Sequence, residues 1–194
     1  MKRSAGGDKL TLVLSQFPGR PTVEVSLADG TVSGLSRLLP QLGDDDQTIG
    51  LAQALGPAAA ALEQAGNNAA ASKVYRSLLQ VLERTDLLLE RARCLRALGL
   101  TLKRAGRLEQ AQTAYEQALD LLRSPSPSFP DEKTRTIELA GVLLNLTILA
   151  QARDRADDRL TYGVWARHAV GEMEGAPADQ IRKELDHLGF VVPR

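Results

Sequence analysis

The feature that most constrains the fold is an amphipathic stretch at residues 92–123, which predicts two helices joined at a glycine. Apolar residues recur every three or four positions before Gly106 and again after it, as on the buried face of a helix. The first stripe consists of Leu95, Leu98, Gly99 and Leu102, and the second of Ala111, Tyr115, Ala118, Leu119 and Leu122. Because Gly106 permits a tight turn, the stretch predicts a helical hairpin.

The same pattern occurs once more, 40 residues earlier in the chain. Gly66 corresponds to Gly106 at this distance, and Tyr75 corresponds to Tyr115. The other matching positions are Leu55, Ala58, Ala59 and Leu62 before the turn, and Ala71 and Leu78 after it. We therefore predict two copies of one helical hairpin, in which two tyrosines occupy equivalent positions.

This hairpin resembles the tetratricopeptide repeat (TPR), a helix–turn–helix unit of about 34 residues. In that family the first helix, helix A, carries a large residue, then Leu-Gly, then an aromatic residue. The second helix, helix B, carries a small–aromatic–small set. These positions hold Leu95, Leu98, Gly99 and Leu102 in helix A, and Ala111, Tyr115 and Ala118 in helix B. The chain departs from the pattern in lacking Trp at Leu95 and Pro at the repeat end.

The resemblance implies a mainly α fold, a TPR-like α-solenoid of about three antiparallel helix pairs. The helical repeats are predicted within residues 31–174, at about 52–85, 92–125 and 140–173. The spacing of the first two copies exceeds the roughly 34 residues of the family by about six, so helices around Leu82–Glu90 should be longer by over a turn. Pro57 lies inside a predicted helix, and we expect the helix to restart there.

The third repeat is placed by a looser match. Its helix A is placed by aligning it with helix A of the second repeat. Leu143, Leu146, Thr147 and Ala150 then correspond to Leu95, Leu98, Gly99 and Leu102. Its helix B is expected at about 156–173, with Leu160, Val164, Ala166 and Ala169 in its apolar stripe. Residues 175–194 are expected to form a helix at Ala178–Leu188, with a tail, that caps the open end of the solenoid.

The segment before the repeats predicts a different structure. Residues 1–8 are small and polar, and we expect a flexible N-terminus. Residues 9–30 contain two alternating stretches separated by turn formers, which predict a β-hairpin. Because a lone two-stranded ribbon is marginal in water, it must lie on the helices or pair with another chain. A short helix is expected over Thr31–Leu42.

Composition argues against several classes of function. The 24 basic and 24 acidic residues cancel, so no overall field attracts nucleic acid. One cysteine, Cys94, excludes an intrachain disulfide and a multi-cysteine metal site. No apolar run has membrane-spanning length. We expect a cytoplasmic protein that does not enter a membrane.

No pattern of catalytic or metal-binding residues occurs in the sequence. His168 and His187 lack a second ligand at metal-site spacing, and no serine lies in a nucleophile-elbow motif. Cys94 is expected to be an inert core residue, and Trp165 a packing residue. We therefore expect no enzyme activity, no metal and no cofactor.

The predicted helix A of the second copy is strongly basic. Six basic residues and no acidic residue lie between Arg91 and Arg107. In TPR proteins, helix A lines the concave groove, and residues at its non-consensus positions contact the partner. Counted from Ala92, these positions hold Arg93, Arg96, Leu100, Lys103 and Arg104. We predict that they bind a protein or peptide segment that is acidic or phosphorylated. The alternative is a solvated face that balances nearby glutamates.

The resemblance thus implies a protein–protein interaction scaffold or adaptor that holds a partner segment in a concave groove. Family analogy suggests a bacterial, cytoplasmic protein. Two other functions stay open at this point: a structural protein that self-assembles through its N-terminal hairpin, and a regulatory module associated with nucleic acid. A homo-oligomer is also open.

Overall fold

The computed structural model describes residues 2–3, 9–14, 19, 21–42, 45–124, 126, 129–171 and 173–191. These residues form a small antiparallel sheet followed by eight α-helices. The strands are β1 (Lys2–Arg3), β2 (Lys9–Val13), β3 (Thr22–Ser26) and β4 (Val32–Ser33). The helices are α1 (Leu35–Leu38), α2 (Asp45–Gln64), α3 (Asn68–Leu82), α4 (Leu88–Arg104), α5 (Leu108–Arg123), α6 (Glu132–Ala152), α7 (Ala156–Val170) and α8 (Ala176–His187).

Three consecutive helix pairs build the solenoid: α2 with α3, α4 with α5, and α6 with α7. Gly66 lies in the turn of the first pair and Gly106 in the turn of the second, and both adopt a φ of 75°, which glycine reaches without strain. Each second helix also packs on the first helix of the next pair. Helix α8 packs on α6 and α7 and so caps the last pair. The predicted fold class, a TPR-like solenoid with an N-terminal hairpin and a capping helix, is confirmed.

The N-terminal sheet lies on the first helix pair of the same chain. Its strands follow the order β1-β2-β3-β4, and its inner face is buried through Leu10, Leu12, Val23 and Val25. The side-chain amide of Asn67 donates hydrogen bonds to the carbonyls of Leu27 and Ala28, at 3.1 and 3.0 Å. Gly30 touches the α3 backbone at Ala70 so closely that a Cβ would clash. The hairpin therefore packs in cis.

The segment around the sheet differs from the sequence prediction in two places. Lys2–Arg3 form the short strand β1 beside β2, where we predicted a flexible terminus; the rest of residues 1–8 lies outside the described residues. The helix expected over Thr31–Leu42 is wrong at its start, because Val32–Ser33 pair with β3 instead. Gly34 then takes a φ of 88°, which ends the strand and starts α1. A 3₁₀ turn at Leu39–Gln41 follows.

Helix α2 runs through Pro57 without a restart, so that prediction is wrong. Proline removes the hydrogen bond to the carbonyl four residues earlier, which belongs to Gln53. Both residues are exposed, so water can take the place of the lost donor. The six extra residues between the first two repeats were expected to lengthen the helices, and they do so only in part. Helix α4 begins at Leu88, one turn before Ala92, whereas residues 83–87 form a connection outside the helices.

The bounds of two helices near the C-terminus also differ from those predicted. Helix α7 ends at Val170, and α8 covers Ala176–His187. In the described part of the chain, no helix combines the length and apolar character needed to cross a membrane.

Candidate functional site

The helices α2, α4 and α6 occupy the helix A position of the three repeats, and we refer to their common surface as the A-helix face. Two grooves of similar size lie between neighbouring helices of this face. Groove 1 lies between α2 and α4 over a floor provided by α3, and has a volume of about 440 Å³. Groove 2 lies between α4 and α6 beside α8, and has a volume of about 450 Å³.

Groove 1 is mainly apolar. Its walls and floor include Ile49, Ala52, Gly56, Leu78, Leu82 and Ala97. Its polar residues include Gln53, Glu90 and Arg93. Gly56 leaves its part of the groove clear, because a Cβ built there would have no atom within 4 Å. An apolar channel with a few polar groups is the usual chemistry of a surface that receives a peptide segment.

Groove 2 carries an ion pair where groove 1 is clear. Arg96 corresponds to Gly56 in the 40-residue repeat, and its guanidinium reaches from α4 to Glu138 on α6, with Nη2 at 3.3 Å from Oε2. The Nε atom of Arg93 donates a hydrogen bond to Oε1 of the same glutamate, at 2.7 Å. Three residues of α8 line this groove as well: Pro177, Gln180 and Ile181. Groove 2 is therefore more polar and is bordered by the chain's own capping helix.

The predicted contact residues are spread over the A-helix face rather than gathered in one pocket. Arg93 lines both grooves and Arg96 lines groove 2, while Leu100 and Lys103 line neither and are half-buried. Arg104 lies 3.5 Å from Glu63 of α2, measured from Nη1 to Oε1. Within the described residues, three of the four basic side chains thus have a carboxylate partner on a neighbouring A-helix.

Lys103 differs from the other three basic side chains. It has no carboxylate within ion-pair distance among the described residues. Burial, and then the neighbouring charge of Arg104, hold the pKa of the Lys103 ammonium below its ordinary value. A partly desolvated ammonium without a counter-charge favours binding of an external acidic group.

Glu63 is the centre of a polar cluster at the end of groove 1. Tyr75 donates a hydrogen bond from its hydroxyl to Oε2 of Glu63 at 2.9 Å, and Thr101 donates to Oε1 at 2.6 Å. Burial first, and then Glu63, raise the pKa of Tyr75 above its ordinary range. The cluster joins α2, α3 and α4, so it fixes the width of groove 1 at this end.

Tyr115 is the counterpart of Tyr75, and its surroundings differ. The ring is fully buried, with 0% exposure, and lies against Gly99 of α4. Its hydroxyl has no hydrogen-bond partner in the part of the chain that the structure describes. The residue that corresponds to Glu63 is Lys103, so the second repeat lacks the acceptor that the first one has.

Cys94 lines groove 1 but is buried beneath its surface. Burial raises the pKa of its thiol to about 12. The side chain is therefore protonated at neutral pH and unreactive, as expected for a core residue. No group of three or more His, Cys, Asp or Glu side chains converges as a metal site among the described residues.

Helix α7 exposes apolar residues that the sequence analysis placed in the core. Leu160 and Val164 lie on its outer face, while Gly163, Ala166 and Val170 are buried. The third repeat matches the pattern loosely, and apolar residues occur all around α7, so spacing alone did not distinguish its two faces. Trp165, predicted to be a packing residue, does pack against Tyr162 and beneath the guanidinium of Arg123, but it is still 44% exposed.

Comparison with known protein families agrees with this geometry. Residues 50–124, which cover most of α2 and all of α3, α4 and α5, match the family model described as Tetratricopeptide repeat. This segment belongs to the tetratricopeptide repeat family. Repeats of this family generally mediate protein–protein interaction. Searches of curated proteins and of solved structures found no match.

Proposed function

We propose that this protein is a protein–protein interaction module that holds a segment of a partner protein in groove 1. The proposal is supported by the apolar lining of this groove and by the clear space at Gly56, within the segment that matches the TPR family. At the equivalent position, groove 2 holds the ion pair of Arg96 and Glu138. Groove 1 is therefore better suited than groove 2 to bind an apolar side chain.

The segment that fits groove 1 is an amphipathic helix or extended peptide. Its apolar side chains would contact the floor at Leu78 and Leu82, because burial of apolar area supplies most of the binding free energy in such grooves. Its acidic side chains would contact the basic residues on α4. Lys103 is the most available of these, because it lacks an internal carboxylate partner among the described residues.

The other predicted contact residues take different parts in this proposal. Arg93 and Arg104 remain half-exposed at opposite ends of α4, and each can contact a further acidic group. Leu100, which lies between them outside both grooves, adds apolar area to the A-helix face. Arg96 is a poorer contact, because its guanidinium joins α4 to α6 and its Nε is buried. We therefore assign Arg96 to the support of groove 2.

The substitution Gly56→Arg tests the proposal. It places in groove 1 the residue that groove 2 has at the equivalent position. In the alignment of the second and third repeats, Glu138 corresponds to Glu90, so the new arginine would find a glutamate on α4 as Arg96 does on α6. The open space at Gly56 and the low helix propensity of glycine mean that the fold should be unharmed.

The measurement uses peptides selected against the wild-type chain from a random display library. Their affinities for the wild type, for Gly56→Arg and for the matched control Gly56→Ala are compared by fluorescence polarisation. We expect Gly56→Arg to lose binding and Gly56→Ala to keep it. Peptides that bind Gly56→Arg as tightly as the wild type would show that groove 1 is not the binding site.

The acidic character of the partner is tested separately by Lys103→Glu. Selected peptides that contain acidic residues should bind this variant more weakly, by about tenfold or more for a lost charge-assisted contact. Peptides in which the acidic residues are replaced by Gln should bind both proteins alike. An equal loss for both peptide sets would argue against an acidic contact at Lys103.

A further inference from the structure

Three of the five exposed large apolar side chains among the described residues lie on the outer face of α7. Leu160 is 59% exposed, Val164 is 50% exposed and Trp165 is 44% exposed. Leu160 and Val164 are four residues apart and form a ridge along the helix, which we name the α7 ridge. Exposed apolar patches of this kind mark interaction surfaces, because exposed large apolar side chains rarely cluster on a monomer.

A hollow lies on each side of the α7 ridge. One has a volume of about 400 Å³ and is lined by Val164, His168, Phe190 and Val191, among others. The other has a volume of about 410 Å³ and is lined by residues of α5 and α7, including Thr161 and Trp165. A ridge between two hollows can pack into the hollow of an identical surface, as helices do when ridges fit grooves.

The exposed stripe of α7 ends in two complementary polar side chains, a carboxylate that accepts hydrogen bonds and an imidazole that donates one. Asp157 lies at the N-terminal end, and His168 lies near the C-terminal end. Neither has an ion-pair partner in the described part of the chain, whereas the neighbouring Asp158 pairs with Arg155 at 3.6 Å. The two end groups are therefore available to each other across an antiparallel contact.

The stripe is complementary to itself under a two-fold rotation. If two copies of α7 lie antiparallel about an axis near residues 162 and 163, Asp157 of one copy faces His168 of the other. In the same register, Leu160 faces Trp165 and Thr161 faces Val164. All of these residues are exposed. Such a match of a surface with its own rotated copy is the requirement for a two-fold homodimer.

We propose that two copies of this chain associate through their α7 ridges to form an antiparallel, two-fold dimer. The contact is apolar at its centre and is closed at both ends by the pairing of Asp157 with His168. Because α7 is a helix B and groove 1 is formed by α2, α3 and α4, dimerisation leaves both copies of groove 1 open. The dimer is thus independent of the proposed partner binding and presents two grooves.

The first test is the mass of the full chain in solution, measured by sedimentation and light scattering over a series of concentrations. The wild type should reach twice the 20.9 kDa of one chain. Leu160→Glu should remain at the mass of one chain, with unchanged helicity and melting temperature, since residue 160 is exposed. The matched control is Val13→Glu, which changes an apolar residue of similar exposure, 51%, on the N-terminal sheet. It should dimerise as the wild type does.

The second test uses crossed charges and is independent of the apolar change. Asp157→Lys and His168→Glu should each stay monomeric. The first removes the carboxylate that accepts from His168 at both ends of the contact, and the second places two carboxylates together at both ends. An equimolar mixture of the two variants should form a heterodimer, because one end then joins Lys to Glu and the other retains the native pair.

Three results would overturn the proposal. The first is a wild-type chain that stays monomeric throughout the series, which would leave the face to a different protein. The second is loss of the dimer in Val13→Glu but not in Leu160→Glu, which would assign association to the N-terminal sheet. The third is a mixture of the charge variants that remains monomeric although the wild type dimerises.

Discussion

Between α2 and α4 the chain has Gly56, and at the equivalent place between α4 and α6 it has Arg96. Both grooves are built on one repeat framework and have almost the same volume. The glycine leaves an apolar channel, whereas the arginine crosses its groove to Glu138 at 3.3 Å. The framework therefore sets the position of each groove, and single side chains at non-consensus positions set its chemistry.

The tyrosines beneath the two grooves occupy equivalent positions but likewise differ in their surroundings. Tyr75 donates its hydroxyl proton to Glu63, but Tyr115 has Lys103 at the corresponding position and no partner in the described residues. Burial raises the pKa of both phenols above the ordinary range, so both are neutral at physiological pH. A buried hydroxyl without a partner costs stability, so Tyr115 stabilises the second repeat through the packing of its ring and not through its hydroxyl.

The largest effect at neutral pH is expected from Gly99→Ala in α4. A Cβ at this position would lie 2.5 Å from the ring of Tyr115, which is fully buried. We expect the free energy of unfolding to fall by about 1–3 kcal/mol, as in other overpacked cores. Gly56→Ala, in open space, should instead raise it by roughly 0.5–1 kcal/mol. Urea unfolding measures both; equal effects would show that Tyr115 does not contact α4 closely.

A second effect tests whether the floor of groove 1 is dry. Burial raises the pKa of the Cys94 thiol from 9.0 to about 12, so the unfolded chain loses this proton at a lower pH than the folded chain does. The stability that this thiol contributes is complete below pH 9 and is lost as the pH rises toward 12. Within that window the loss is about 1.4 kcal/mol per pH unit.

The variant Cys94→Ala isolates this contribution, because all other titrating groups are common to both proteins. Unfolding free energies measured at intervals above pH 9 should fall more steeply for the wild type than for the variant. Parallel slopes would mean that water reaches the thiol, and groove 1 would then be wet to its floor.

The smallest effect concerns the orphan hydroxyl of Tyr115. Lys103→Glu gives the second repeat the acceptor that Glu63 provides in the first. We expect a gain of about 0.5–1.5 kcal/mol in the free energy of unfolding from the new hydrogen bond. The gain should vanish in the Tyr115→Phe background, and a double-mutant cycle measures the difference. A gain that persists in the Tyr115→Phe background would come from the change of charge alone. It would contradict the equivalence of position 103 with Glu63.

The repeats could be predicted from the sequence because their signals are local. Gly66 and Gly106 need a positive φ, and the structure gives both 75°. Apolar spacing within one helix likewise predicts its buried face when the face is narrow, as on α5. The prediction failed where a neighbour in space decides the outcome. Pro57 is tolerated because its side of α2 faces water, and Val32 pairs with β3 rather than entering a helix.

The candidate site was predicted only in part for the same reason. Family resemblance identified the A-helix face and its basic residues, but the partners of these residues lie far away in the chain. Glu63 and Glu138 come from other repeats and reach Arg104, Arg93 and Arg96 only in the folded solenoid. Sequence spacing carries no information on such pairs, so a basic stripe looked unpaired. The exposed α7 ridge was missed because its helix is apolar on more than one side.

The N-terminal sheet and α8 have a consequence for how far the solenoid can extend. Stacked repeats with bare ends can continue from one molecule to the next and grow into a filament. Here the first helix pair is covered by the sheet, which Asn67 holds through the carbonyls of Leu27 and Ala28, and the last pair is covered by α8. Stacking therefore terminates within each molecule, and association is directed to the sides of the solenoid instead of its ends.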